Sequence, residues 1–284
     1  DMQHLRRLFT LIANENGQML NGDSPILSGN LQDGSRVQLV IPPASKFYIL
    51  SIRRASIKKQ TLDDYRHSNF YSHAKPFDMR ASGERDLAAE EQELRRLYQA
   101  GLWADFIALA VRLKKNIVIS GETSSGKTTF LNACAAHIPA HERLITLEDT
   151  YEIDIPHQNR VALLAPKGLE GQKLKLSMQD LVQCALRLRP DRILMGETRG
   201  REVLDLISAC STGHAGSITT IHAPNPRVAF MRMTQMYKLN NVPSMRDEDI
   251  HRELHEVIDI VVQLKKMANG RQMTDVYYKG ISHE

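Results

Sequence analysis

Long apolar runs are missing from this 284-residue chain. None approaches the roughly 20 residues of a bilayer-spanning helix, and no secretory signal pattern opens the sequence. Cysteine is scarce: Cys134, Cys184 and Cys210 are odd in number, lie in apolar surroundings and have no paired spacing. That excludes a disulfide framework and predicts buried, reduced thiols in a cytoplasmic compartment. Aromatic residues make up only 6% and form no stripe among basic ones, so the stacking platform of a single-stranded nucleic-acid motor is lacking. Charge of one sign is also lacking. A formal net charge of +4 and a pI near 8.9 permit contact with an acidic membrane surface or nucleic acid but demand neither. There is no internal repeat and no low-complexity tract. The first residue is Asp1 rather than methionine, which points either to a trimmed chain or to an unordered leader.

The length favours two domains, each with its own core. Residues 1–75 read as a small α+β domain. Leu5, Leu8, Phe9 and Ile12 have helical spacing. Residues 25–43 then alternate around the dipeptide Asp33-Gly34, a hairpin turn, and residues 47–52 give a further strand. Residues 76–89 are polar, with Pro76 and Gly83, and read as a linker. From residue 90 the chain alternates helices and strands. Helices are predicted near 87–98, 103–113, 129–137, 178–188 and 203–209. Strands are predicted at 117–119, 144–147, 193–195, 218–221 and 257–264. This order implies an α/β fold, a mostly parallel sheet covered by helices on both faces, with Asn269-Gly270 closing an antiparallel hairpin.

The densest chemistry follows the apolar run Ile117-Val118-Ile119. Gly121, Glu122, Thr123, Ser124, Ser125, Gly126, Lys127 and Thr128 match a P-loop at every specified position, and Thr129 leads into a helix. A glycine-rich turn between a buried strand and a helix N-terminus gathers backbone N–H groups into a cage for phosphate oxygens. Lys127 reaches the β- and γ-phosphates and the Thr128 hydroxyl can ligate Mg²⁺. The expected ligands are therefore ATP and Mg²⁺.

Three polar clusters end other predicted strands. Glu148 and Asp149, followed by Glu152, form the first; Glu197 closes the second, the strand after Pro190. Such carboxylates hold Mg²⁺ or orient the attacking water. The third runs from Thr212 to His222 and carries His214 and His222. Without cysteine or carboxylate at ligand spacing beside them, a zinc site is the weaker reading and a γ-phosphate relay the stronger. Arg187, Arg189, Arg192, Arg199 and Arg201 gather nearby and can supply the cation that phosphoryl transfer needs.

The succession of residues 121–128, 146–149, 190–197 and 213–222 resembles the Walker A, Asp, Walker B and His boxes of the secretion ATPase superfamily. Leu27-Ser28-Gly29, Gly34-Ser35-Arg36-Val37 and Ser51-Ile52-Arg53-Arg54 narrow the resemblance to the hexameric traffic ATPases of bacterial type IV secretion systems. The resemblance implies an N-terminal domain over a RecA-like P-loop ATPase domain, in a homohexamer with nucleotide between the two domains. It also implies inner-membrane secretion components as partners, peripheral membrane contact, and no sequence-specific nucleic-acid binding. By position, Glu148 and Glu197 take the acidic roles and His214 and His222 the histidine roles. Arg187 and Arg199 match arginine fingers, and Arg53 or Arg54 an N-domain phosphate contact. The Walker B strand ends Met195-Gly196-Glu197, without the Asp of many P-loop enzymes, so either Glu148 or Glu197 can be the base. The N-terminus is also short for the family. A nucleic-acid motor, a type II secretion or pilus ATPase and a non-hydrolysing scaffold are the competing readings; intact Lys127, Thr128, Glu148 and Glu197 argue against the last.

Overall fold

The computed structural model describes residues 1–54, 62–67, 70, 72, 74, 89–165 and 176–281. The predicted linker 76–89 lies outside these residues except for Ala89.

The chain opens with helix α1 (Met2–Glu15), whose N-terminus is capped by the Asp1 carboxylate accepting from the Gln3 N–H. Strands β1 (Ile26–Asn30), β2 (Arg36–Val40) and β3 (Ile49–Arg53) follow and pair antiparallel in that order. Asp33 and Gly34 lie in the β1–β2 turn, where Gly34 takes φ 79. The period of two along β2 gives this small sheet two partners. Val37 and Leu39 join Phe9 and Ile12 of α1 in one core, while Val40 and the following Ala44 join a core of the larger sheet.

After α2 (Leu62–His67) come α3 (Ala89–Gln99), α4 (Trp103–Arg112), β4 (Ile117–Gly121), α5 (Lys127–Ala135), β5 (Leu144–Glu148) and β6 (Arg160–Leu164). The chain continues through α6 (Met178–Arg187), β7 (Arg192–Met195), α7 (Glu202–Ser211), β8 (Ile218–Ile221), α8 (Pro226–Lys238) and α9 (Asp247–Val257). It ends in the hairpin β9 (Ile260–Met267) and β10 (Gly270–Tyr278). The seven strands order as β10-β9-β4-β8-β7-β5-β6, with only the β9–β10 pair antiparallel. Neighbouring side chains on β4 face opposite layers. Ile117 and Ile119 pack with Leu94, Phe106 and Leu131 of α3–α5, and Val118 packs with Phe230 and Leu254 of α8 and α9. Burial on both faces explains why β4, β5 and β7 read as largely apolar runs, while the central β8 buries Thr219 and Thr220 between Ile218 and Ile221.

Three local expectations shift. Strand β6 had no counterpart in the sequence reading because its residues alternate little and it pairs at the sheet edge. Val257 belongs to α9 rather than to the strand that follows. The last hairpin turns on Ala268 and Asn269, with Gly270 already paired to Met267 and taking φ 122; the left-handed residue follows the turn instead of sitting in it.

The small sheet docks on its own chain. Gln38 approaches the Cys184 sulfur on α6 at 3.5 Å, and the Leu164 N–H donates to the Ala44 carbonyl at 2.7 Å. All three cysteines are free. Burial pushes the thiols of Cys134 and Cys184 up to about 12 and that of Cys210 up to about 11, so they stay protonated and inert.

Candidate active site

Parallel strands end on the same edge of a sheet, and here the carboxyl ends of β4, β5, β7 and β8 converge on one cavity of about 380 Å³. β4 delivers Gly121, where a Cβ would lie 2.8 Å from the Leu264 carbonyl oxygen. Ser124 and Gly126 then adopt φ 62 and φ 91, left-handed conformations that curl the loop ahead of α5. Gly126 is the N-cap of α5 and offers no side-chain cap, which leaves the helix's first N–H groups free for an anion. Ser125 is 1% exposed, yet its Oγ has no hydrogen-bond partner among the described residues. An orphaned buried hydroxyl beside uncapped amides fits a cradle that phosphate completes. The Lys127 ammonium meanwhile donates to the carbonyls of Gly121 and Glu122, at 3.0 Å each. Burial pushes its pKa down and Arg199 adds to this, while Glu197 opposes them.

The acidic groups face this loop. Glu148, only 2% exposed, accepts from the Glu152 and Ile153 N–H groups at 2.7 Å each. Burial raises its pKa above the ordinary carboxylate value, although these hydrogen bonds counteract it. Thr128 donates to Glu152 at 3.1 Å, placing a hydroxyl and a carboxylate together where Mg²⁺ ligands are required. Such an oxygen-rich pair suits a hard divalent cation. Arg199 donates to Glu197 at 2.6 Å and to Asp149 at 2.7 Å, and these partners hold its pKa up. His222 Nε2 lies 3.5 Å from Glu197. Burial, together with Lys127, lowers the His222 pKa, which keeps the imidazole neutral at neutral pH and makes this contact a polar one and not an ion pair.

The sequence pattern described as "Type II/IV secretion system protein" matches residues 84–279. The type IV secretion system protein VirB11 of Brucella suis biovar 1 (strain 1330) is 37% identical over 286 residues, covering 98% of this chain and 78% of the relative. PtlH of Bordetella pertussis (strain Tohama I) is 34% identical over 285 residues, covering 98% and 82%. The chain belongs to the type II/IV secretion system protein family. The crystal structure of the Brucella suis VirB11 ATPase in complex with sulphate superposes with a TM-score of 0.87 at 36% identity, covering 98% of this chain and 83% of that one. This secretion ATPase therefore binds nucleotide, hydrolyses ATP and has the RecA-like fold with a smaller α+β N-terminal part.

Of the residues singled out in the sequence, the cavity of this secretion ATPase gathers Thr123, Ser124, Gly126, Lys127, Thr128 and Thr129, with Glu148, Glu197, Arg199 and His222 opposite. Others stand elsewhere. His214 precedes β8 while His222 follows it, so the length of that strand separates them and one zinc ion cannot bind both. Arg187 lines a different hollow, between residues 23–28 and α6. Arg53 ends β3 and Arg54 follows it; both are exposed, and neither lines the nucleotide cavity. Arg199, read as a finger for a neighbouring subunit, sits instead in its own chain's cavity. Arg192 is a structural residue: it is fully buried, and its guanidinium donates twice to Glu142, at 2.6 and 3.0 Å.

Sequence reasoning passed over Arg271, which lines the cavity from β10. Its one local signal is the adjoining Asn269-Gly270 pair; its approach to the P-loop depends on pairing between β9 and β4. Glu152 stood in a cluster singled out earlier, but its contact with Thr128 was not foreseen.

Proposed function

We propose that this ATPase is the homohexameric motor of a bacterial type IV secretion system, working at the cytoplasmic face of the inner membrane beside membrane-embedded components. The supporting observation is the convergence of Lys127, Glu148, Glu197 and His222 on one cradle at the carboxyl edge of a parallel sheet. The proposed division is an N-terminal domain over 1–75, a linker over 76–89 and an ATPase domain over 90–284. No helix among the described residues is long and apolar enough to cross a membrane, so any membrane contact is peripheral in this reading.

On ATP binding, the Lys127 ammonium exchanges the loop carbonyls for β- and γ-phosphate oxygens, compensating charge as the bridge breaks. Thr128 and Glu152, with Glu148 behind them, would hold Mg²⁺, which neutralises phosphate charge when bound. Glu197 orients and deprotonates the attacking water once Arg199 leaves it for phosphate. Its partners are side chains, whereas Glu148 is tied to two backbone amides. Neutral His222 senses the γ-phosphate beside it.

Glu197→Gln is expected to bind ATP with near wild-type affinity while turnover falls about a hundredfold, since the amide cannot accept the proton. Steady-state phosphate release beside equilibrium ATP binding measures both. Glu148→Gln is to be measured in parallel. Arrest by Glu148→Gln with normal turnover in Glu197→Gln would reverse the two assignments.

A ring needs a heterologous interface, one face meeting a different face of the next copy. Arg187 lies outside its own cavity and is the candidate to complete a neighbour's. Mixing inactive Arg187→Ala and Lys127→Ala subunits is expected to restore part of the activity, because some interfaces unite an intact loop with an intact arginine. Arg199→Ala shares a cavity with Lys127 and is expected to give no such rescue. Sedimentation with ATP should give a hexamer; full activity from a monomer would refute the shared site.

A further inference from the structure

Three cations line the nucleotide cavity along with His222, and two of them are engaged. Lys127 donates to loop carbonyls and Arg199 to two carboxylates. The third, Arg271, comes from outside the four motif segments. β9 runs parallel to β4 with Leu264 opposite Gly121, and the hairpin continues beyond that point to Met267 and Gly270 before β10 returns. Its near end thus stands over the P-loop. From there the exposed Arg271 side chain reaches back, and its Nε donates to the Ser124 carbonyl at 3.2 Å. Its stem crosses Gly126 so closely that a Cβ on that glycine would lie 2.8 Å from Arg271 Cδ. Gly126 therefore serves two ends: it permits φ 91 and it leaves room for this arginine. Among the described residues, the Nη1 and Nη2 groups have no hydrogen-bond or ion-pair partner, although they stand at a cavity built for anions.

We propose that Arg271 is a phosphate-binding residue of the nucleotide site, contacting the polyphosphate of ATP and ADP from the hairpin side while its Nε holds the loop at Ser124. A guanidinium offers five N–H donors in a planar fork; one is used on the protein, and the outer Nη pair matches phosphate oxygens. The contact spans both nucleotides, so it adds to ground-state and transition-state binding alike. It also couples nucleotide occupancy to the C-terminal hairpin. This inference rests on the nucleotide reading of the cavity given above.

The experiment titrates ADP and a non-hydrolysable ATP analogue by calorimetry against the full chain and its Arg271→Ala, Arg271→Gln and Arg271→Lys variants, and measures hydrolysis for the same set and for Lys127→Ala. Loss of one charge-assisted contact predicts about tenfold weaker ADP and analogue binding in both Ala and Gln variants. The Gln variant keeps the stem over Gly126 and so separates charge from packing. Lys, retaining the charge, should stay within about threefold of wild type. KM should rise with kcat nearly unchanged, the mark of uniform binding. If the Ala and Gln variants bind ADP like wild type while Lys127→Ala has lost hydrolysis, the Arg271 assignment is overturned and the nucleotide site stands. A fall in kcat with unchanged ADP affinity overturns it too, since Arg271 would then only shape the loop. Wild-type hydrolysis by Lys127→Ala would remove the nucleotide reading itself.

Discussion

Lys127→Ala is expected to abolish ATP hydrolysis, with the rate falling at least about a hundredfold. The ammonium is the cation that the loop itself carries, and without it the charge that develops on the β–γ bridge and γ-phosphate loses its direct compensation, which Arg199 and Arg271, placed on other elements, do not replace. Its present partners are two carbonyls of the loop, at 3.0 Å each. Both are free to accept water after truncation, so the fold should survive. Phosphate release under saturating ATP measures the loss, and an unchanged melting temperature shows that it is chemical. A folded variant that turns over near the wild-type rate would exclude this cavity from the reaction.

Arg192→Ala is expected to act on stability in place of chemistry, at a cost of about 3–5 kcal/mol. The Arg192 side chain is 0% exposed and bidentate on Glu142, and it also donates to the Val111 carbonyl. Truncation leaves a buried carboxylate with Lys114 at 3.6 Å as its remaining ion-pair partner and empties the space beside Gly216. There an added Cβ would lie 2.9 Å from Arg192 Nη1. Urea unfolding should show a lower midpoint at unchanged slope. The double substitution Arg192→Met with Glu142→Leu should lose much less, because it removes both charges together. A single-variant loss below about 1 kcal/mol would mean that water reaches the pair.

Glu148, Glu197 and the loop from Gly121 to Thr128 were legible because each follows a continuous apolar strand, and parallel strands bring their carboxyl ends to one edge. The 3.6-residue period along α1 likewise reported its buried face directly, whereas β2 is buried on both faces and its alternation alone would have left Gln38 in solvent. Arg192 and Arg199 show where local reading stops. They lie seven positions apart in one basic run, yet one is sealed in a structural pair and the other bridges two cavity carboxylates. Nothing in the run itself separates them, since charge type is shared and only burial differs. Similarly, His214 and His222 bracket one strand, and the same extension that makes a strand puts its two ends at opposite edges of the sheet.

The sequence by itself determined the phosphate cradle, the alternating α/β order and the membership implied by four ordered motifs. All of these rest on short-range geometry: residue spacing, glycine's freedom at Gly126 and the burial period of single elements. Only the tertiary structure decided that the N-terminal sheet packs on α6 of its own chain, that Arg199 lines its own chain's cavity, and that Arg271 reaches Ser124 from 147 residues away. Those placements depend on strand order and hairpin length, which set distances between residues remote in the chain, and no local pattern encodes them.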